Sequence, residues 1–327
     1  MMQSPWALGL VHGTLLVTAL MAAIAWISWF ERKLAGRMQS RLGPTRVGPF
    51  GLLQPIADAL KAMQKEDVVP RDADRRLFVL APPLALGLAL ATAAIVPFAP
   101  HALASDLDVG VLYALAMGGL MAFPTWVAGW SSNNKYALLG GMRMVAQGIS
   151  YEIPLVLAAL VPVVLTGSLS VSAIVEHQVA SRWLVLTPAG APAFVLFLVT
   201  ALAEGNRIPF DIPEAESELV SGPTTEYGAL RWTLFASSEY AHSVVTSALA
   251  SALFLGGWDG LAFLPGAVWM VLKTTVIFVA ITWTRWSLLR FRSDQLMALC
   301  WKWLVPIALV LVFGAGLEVV LAGAGAP

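Results

Sequence analysis

The stretch from Leu202 to Tyr227, LAEGNRIPFDIPEAESELVSGPTTEY, holds six carboxylates: Glu204, Asp211, Glu214, Glu216, Glu218 and Glu226. A single base, Arg207, stands among them. The surrounding chain is 58% hydrophobic and only 12% charged. Ionisable side chains are costly near a bilayer core, so a cluster of them points to a working site. The chemistry it suits is proton handling.

Within the cluster, Glu204 and Arg207 stand at i, i+3 and can pair on one face if the preceding helix continues, as a site or as a structural ion pair. Asp211-Ile212-Pro213-Glu214 reads as a helix start, with Asp211 as a cap, Pro213 in the first turn and Glu214 closing a capping box. Glu214 and Glu218 then share a face at i, i+4, where like charges repel. At least one should hold its proton near neutral pH, unless the loop is simply wet. Glu152 and Glu239 lie inside apolar runs, without a lysine or arginine within one helical turn. Carboxylates spaced through helices are what a proton relay needs.

These residues need elements to hold them. The 327-residue chain has a mean hydropathy of +0.75 and apolar runs of about 20 residues, which predicts an all-α membrane protein. Residues 1–327 read as a single polytopic membrane domain. Eight transmembrane helices are predicted, at about Trp6–Phe30, Leu77–Phe98, Val111–Trp130, Ala146–Thr166, Pro188–Ala203, Ala229–Phe254, Leu264–Trp283 and Leu304–Leu321. The first run carries no A-x-A cleavage site and reads as a retained helix. Tryptophans near span ends, such as Trp6, Trp130, Trp283 and Trp301, fit an interfacial belt. Lys273 is a buried charge in the seventh span, expected to pair with a carboxylate.

Of the 20 basic residues, only Arg182, Arg231 and Lys273 lie away from the odd-numbered connections and their edges. The positive-inside rule places those connections in the cytoplasm and both termini on the other side. The loops near Asp106/Asp108 and Asp259 are translocated. A zero net charge argues against nucleic acid. The one cysteine, Cys300, excludes an internal disulfide or a cysteine-held cluster. His12, His101, His177 and His242 lack metal-ligand spacing, so no metal is expected. No dinucleotide or Walker loop is present.

The first connection, Glu31–Arg76, is long. Leu53, Ile56, Leu60 and Met63 recur at helical spacing opposite Gln54, Asp58, Lys61 and Lys65. This predicts an amphipathic helix, suited to the membrane interface, with Pro55 in its first turn. A surface helix with no further role fits the same pattern.

Several motifs together resemble the NuoH family, the quinone-side membrane subunits of the proton-pumping NADH:quinone oxidoreductases of respiratory complex I. They are Glu31-Arg32-Lys33, Arg41-Leu42-Gly43-Pro44, Val47-Gly48-Pro49 and Gly51-Leu52-Leu53-Gln54-Pro55-Ile56-Ala57-Asp58. Asn133-Asn134-Lys135-Tyr136-Ala137-Leu138, Ile149-Ser150-Tyr151-Glu152, Glu204–Tyr227 and Asp294-Gln295-Leu296-Met297 extend the likeness from the first span to the last.

The resemblance implies an eight-helix subunit of the cell inner membrane, catalytic only within the assembled complex. It implies cytoplasmic loops that form part of a quinone tunnel, and acidic residues that link the tunnel to proton channels in neighbouring subunits. By the same likeness Glu152, Glu204, Asp211, Glu214, Glu216, Glu218, Glu226 and Glu239 match the acidic relay, and Arg207 its arginine partner. Glu31, Arg32, Arg41 and Asp58 match polar positions on the quinone path. Quinone is then the substrate. NADH, FMN and iron–sulfur clusters belong to partner subunits, of both the membrane arm and the peripheral arm, and lipid surrounds the spans. Thr45, Gly205, Pro223 and His242 depart from the family pattern (Asn, Thr, an aromatic and Asn are usual there) and alter the loop near the quinone path. The equivalent subunit of a hydrogenase or formate-hydrogenlyase complex shares the eight-helix plan. A proton-coupled secondary transporter would more often show an internal repeat, and none is evident. A structural anchor would not need to bury Glu152 and Glu239.

Overall fold

Backbone polar groups in lipid must be satisfied within the chain, and helices do this residue by residue. The computed structural model describes residues 5–99, 107–261 and 263–324, with side chains apart from residues 5–12, 16, 216, 217 and 322–324. His101 and Asp106 therefore lie outside the described residues, as do the side chains of Trp6, His12 and Glu216. Among the described residues the chain is helical, with no strand.

The helices are α1 (Pro5–Met38), α2 (Gln54–Gln64), α3 (Arg75–Ala93), α4 (Gly110–Gly119), α5 (Ala122–Ser131) and α6 (Lys135–Thr166). They continue with α7 (Val171–Ala180), α8 (Gly190–Glu204), the single turn α9 (Glu216–Leu219), α10 (Ala229–Phe254), α11 (Gly266–Ser287), α12 (Ser293–Leu299) and α13 (Val305–Ala324). A π-helical turn, Cys300–Leu304, joins α12 to α13.

Among the described residues, six stretches are long and apolar enough to cross a membrane: Gly13–Met38, Arg75–Ala93, Gly110–Ser131, Lys135–Thr166, Gly266–Ser287 and Ser293–Leu321. The other two expected spans fall outside that set for different reasons. Helix α8 has 15 residues, and at 1.5 Å per residue it covers only about 23 Å of a roughly 30 Å hydrocarbon core. Helix α10 is long enough at 26 residues, but it carries Arg231, Glu239, His242 and many hydroxyl side chains.

That polar helix is packed against α1, α2, α3, α7, α8 and α11. Its second half, rich in Ala and Ser, is buried on all sides. Small residues let neighbouring backbones approach closely. The serine hydroxyls donate back to their own helix, Ser243 to the Glu239 carbonyl at 2.8 Å and Ser247 to the Ser243 carbonyl at 2.7 Å. They therefore add no unsatisfied group to the core. Lys273 of α11 caps the C-terminal end of α10. Its ammonium donates to the carbonyls of Leu255 (2.6 Å), Gly257 (3.1 Å) and Asp259 and lies over the Trp183 ring. The cation is thus held by backbone carbonyls, which a helix end presents unpaired, and the expected carboxylate enters as the nearby charge of Asp259.

Helix α2 forms where the first connection predicts it, with Pro55 in its first turn. Pro55 and Ala62 face the protein. Leu53, Ile56, Leu60 and Met63 are exposed on the other side. The helix is tied to α1 by the Arg32–Asp58 pair at 2.7 Å.

Candidate functional site

Helix α8 stops at Glu204, and the chain turns at once. The Arg207 amide donates back to the Leu202 carbonyl at 3.2 Å. Gln147 of α6 pins the turn, its amide nitrogen donating to the carbonyls of Ala203 (2.8 Å) and Phe210 (2.9 Å). Because the helix does not continue, the expected Glu204–Arg207 pair is absent. Glu204 is buried, with Oε2 3.2 Å from Nε2 of His242 on α10. Arg207 faces Glu31 of α1 at 3.8 Å and lies over the Tyr240 ring at 4.7 Å. Glu31 also accepts a 2.6 Å hydrogen bond from Arg285 of α11. One buried carboxylate is thereby shared by two guanidinium groups from separate elements, which offsets its loss of water.

Beside this group, Glu204, Glu214, Glu239 and His242 line one cavity of about 40 Å³. A single water needs about 10–15 Å³ of such space, so the polar cavity has room for water. Glu214 enters from the connection and Glu239 from α10. The Glu239 charge, then burial, then Asp211 push the Glu214 carboxyl up to about 9, against the pull of Arg207 and Arg285. Glu214 therefore holds its proton at neutral pH.

The sequence expectation of a proton-holding glutamate here rested on repulsion from Glu218, and the structure assigns a different partner. Helix α9 spans only Glu216–Leu219 and is preceded by Ala215 at φ 23°, so no helix starts at Asp211 and Glu214 and Glu218 share no helical face. Glu218 points outward, where Arg143 of α6 holds its carboxyl below the usual carboxylate range. Asp211 is half-buried near Glu214 and Glu239 rather than a cap for α9. Glu226 lies apart. It accepts a 2.7 Å hydrogen bond from Asn134, whose own side-chain oxygen caps α6 at Tyr136. Glu216 opens α9 with its backbone.

Glu152 stands on α6 and is exposed on the subunit surface. Its Oε1 rests against Gly119 of α4, while Oε1 of Glu204 rests against the adjacent Gly118. A methyl group at either glycine would collide with the carboxylate beside it. Arg32, Arg41 and Asp58 sit at the α1–α2 corner and do not line the cavity. Arg41 donates to Gln39 at 2.7 Å and Gln54 to Asp58 at 2.8 Å. Gly118 and Gly119, which the sequence does not single out, thus belong to the site, as does His242, which the sequence marks only as a departure from the family pattern and which stands on α10 rather than in a loop. A signal for His242 was available, since it stands three residues after Glu239, on the same helical face. The two glycines carry no signal in a run of small apolar residues.

Comparison with known proteins agrees with this architecture. A family model described as NADH dehydrogenase matches residues 11–315. The chain is 45% identical over 306 residues to the H subunit of NADH-quinone oxidoreductase from Magnetococcus marinus, covering 92% of this chain and 88% of that one. It is 45% identical over 317 residues to the same subunit from Dehalococcoides mccartyi (97% and 88% covered) and 46% identical over 322 residues to that from Bacillus mycoides (96% of each). Matched along nearly its whole length by both kinds of comparison, the chain belongs to the NADH dehydrogenase family that contains these NADH-quinone oxidoreductase H subunits.

Proposed function

We propose that this chain is the membrane subunit of an NADH:quinone oxidoreductase that carries part of the quinone tunnel and a carboxylate relay coupling quinone reduction to proton translocation. The observation that carries the reading is the cavity in which Glu204, Glu214 and Glu239 converge with His242. Three carboxylates around a space sized for water can accept, hold and pass protons. One of them, Glu214, keeps its proton near neutral pH.

The relay has two ends. At the quinone end, Glu31 of α1 sits between Arg207 and Arg285, on the helix to which Arg32 ties α2, whose exposed apolar stripe suits the membrane interface. Reduction of a quinone takes two electrons and two protons, and electrons reach it from partner subunits that hold NADH, flavin and iron–sulfur clusters. The altered charge acts on Glu239, whose carboxylate feels Arg207, Arg285, Asp211 and Glu31. At the exit, Glu152 lies exposed near the middle of the 32-residue α6. A carboxylate at that depth is costly against lipid, so it faces a neighbouring membrane subunit. In this reading α8 and α10 cross the membrane with the six apolar stretches, making eight spans, and the positively charged connections lie in the cytoplasm. Neighbours shield the polar α10.

Glu204→Gln tests the relay. In complexes that assemble normally, quinone reduction and proton pumping are expected to collapse together, by roughly a hundredfold or more for loss of a proton-transfer group. Normal rates for both in an assembled variant would remove Glu204 from any relay.

A further inference from the structure

The cavity that holds the three carboxylates has a neighbour. A second cavity of about 20 Å³ lies between α3, α4, α6, α8 and α10, and its walls are mostly apolar. Among the described residues, only Glu204 and His242 line both spaces. The second cavity is large enough for one water, and the hydroxyls of Thr92 and Thr246 supply polar partners. We infer that His242 is a proton-transfer residue and that, with Glu204, it forms a two-residue gate between these cavities.

The geometry around the ring supports this assignment. His242 is 4% exposed and stands on the face of α10 that also carries Ser238, Glu239 and Thr246. Its Nε2 lies 3.2 Å from Glu204 Oε2 and 3.3 Å from the Thr246 hydroxyl. Its Nδ1 is buried with no partner among the described residues. A ring kept only for structure would be expected to have both nitrogens satisfied, because an unpaired buried polar atom costs about 1–3 kcal/mol. An imidazole takes up and gives back protons in the physiological range, and here Nε2 alone faces both Glu204 and Thr246. The step balances as a proton transfer alone. Protonated Glu204 gives its proton to Nε2, leaving a carboxylate and an imidazolium. The imidazolium then gives the Nε2 proton to water beside Thr246, and the neutral ring returns with its other proton on Nδ1 throughout. The charged and titratable groups around the pair are Glu239 on the same helix, Glu214 and Arg207 from the connection, and Tyr151 and Glu152 from α6.

The inference rests on the relay reading, and the test separates the two. His242→Gln keeps a hydrogen-bonding amide beside Glu204 but cannot carry a proton, and Thr246→Val removes the hydroxyl in the second cavity. Both are compared with Glu204→Gln in assembled complexes in membrane vesicles. His242→Gln is expected to slow proton pumping by about tenfold or more, and Thr246→Val by less. In wild type, the infrared difference spectrum on quinone reduction should contain an imidazole band that His242→Gln lacks. Wild-type pumping in His242→Gln with loss in Glu204→Gln would keep the relay and remove His242 from it. Wild-type pumping in both would overturn the relay itself. Failure of both His242→Gln and His242→Asn to assemble would make the ring structural and overturn the inference.

Discussion

Glu214 and Glu218 stand four residues apart in one acidic segment, yet the fold treats them in opposite ways. Glu214 is turned inward against Glu239, and its carboxyl is pushed up to about 9. Glu218 is turned outward onto Arg143, and its carboxyl is held down. The residue type is the same, so the difference comes from what each side chain meets. A carboxylate facing another carboxylate in a small cavity becomes a proton store. One facing a guanidinium at the surface becomes a fixed charge. The acidic segment is thus a buried proton-handling half and a solvated half that ties it to α6.

If the buried half depends on exact charge placement, it should be far more fragile than the exposed half. The largest effect is expected at Glu31, which among the described residues forms ion pairs with both Arg207 and Arg285. Glu31→Gln takes the ion-paired counter-charge from two guanidinium groups, and breaking a buried pair typically costs about 3–5 kcal/mol. Assembly of the complex, followed by native gel, should drop sharply. Normal assembly would mean that water or another group compensates these cations. Gly118→Ala should come next. Its methyl group would meet Glu204 Oε1, and overpacking of this kind costs roughly 1–3 kcal/mol. The variant should assemble but pump slowly, because Glu204 is pushed away from His242. Gly119→Ala should act on Glu152 in the same way. Full pumping in both variants would show that the carboxylates relocate freely.

Parts of this arrangement were legible in the sequence and parts were not. Apolar runs and the amphipathic pattern gave the all-helical plan and α2, because both follow from periodicity. The acidic segment announced itself by composition alone. The pairings inside it were misread where they depended on local helix continuity. Arg207 looked like the partner of Glu204 only if α8 ran on, and Glu214 looked like the neighbour of Glu218 only if a helix began at Asp211. Both helices end or begin elsewhere, at Gly205 and at Ala215. The true partners, Glu31 for Arg207, His242 for Glu204 and Glu239 for Glu214, are set by packing between distant elements, which no spacing rule reports. Likewise α10 reads as too polar for a lipid-facing span because its polar groups are turned onto its neighbours.

Substitutions at the two glutamates sharpen the contrast directly. Between the ordinary carboxylate value of 4.5 and about 9, folded Glu214 keeps a proton that the unfolded chain has lost. Stability should therefore fall as pH rises through that window. Glu214→Gln removes this dependence, so its melting temperature in detergent should vary less with pH, between 4.5 and about 9, than that of the wild type. An unchanged slope would place Glu214 in water.

The smallest effect should lie at the surface. The Glu218 carboxyl is held below its ordinary value by Arg143, so its contribution is complete above that ordinary value and fades as pH falls through the lower one. Both side chains are partly open to solvent, Arg143 at 34% and Glu218 at 51%. A double-mutant cycle of Arg143→Ala and Glu218→Ala should give a coupling energy under about 1 kcal/mol. Added salt should weaken that coupling further, since the pair is reached by counter-ions. Pumping should continue in both single variants. A large coupling that survives high salt would mean a partner subunit covers this pair. The outer half of the acidic segment would then be as buried in the assembly as the inner half, and the distinction between Glu214 and Glu218 would rest on their charge partners alone.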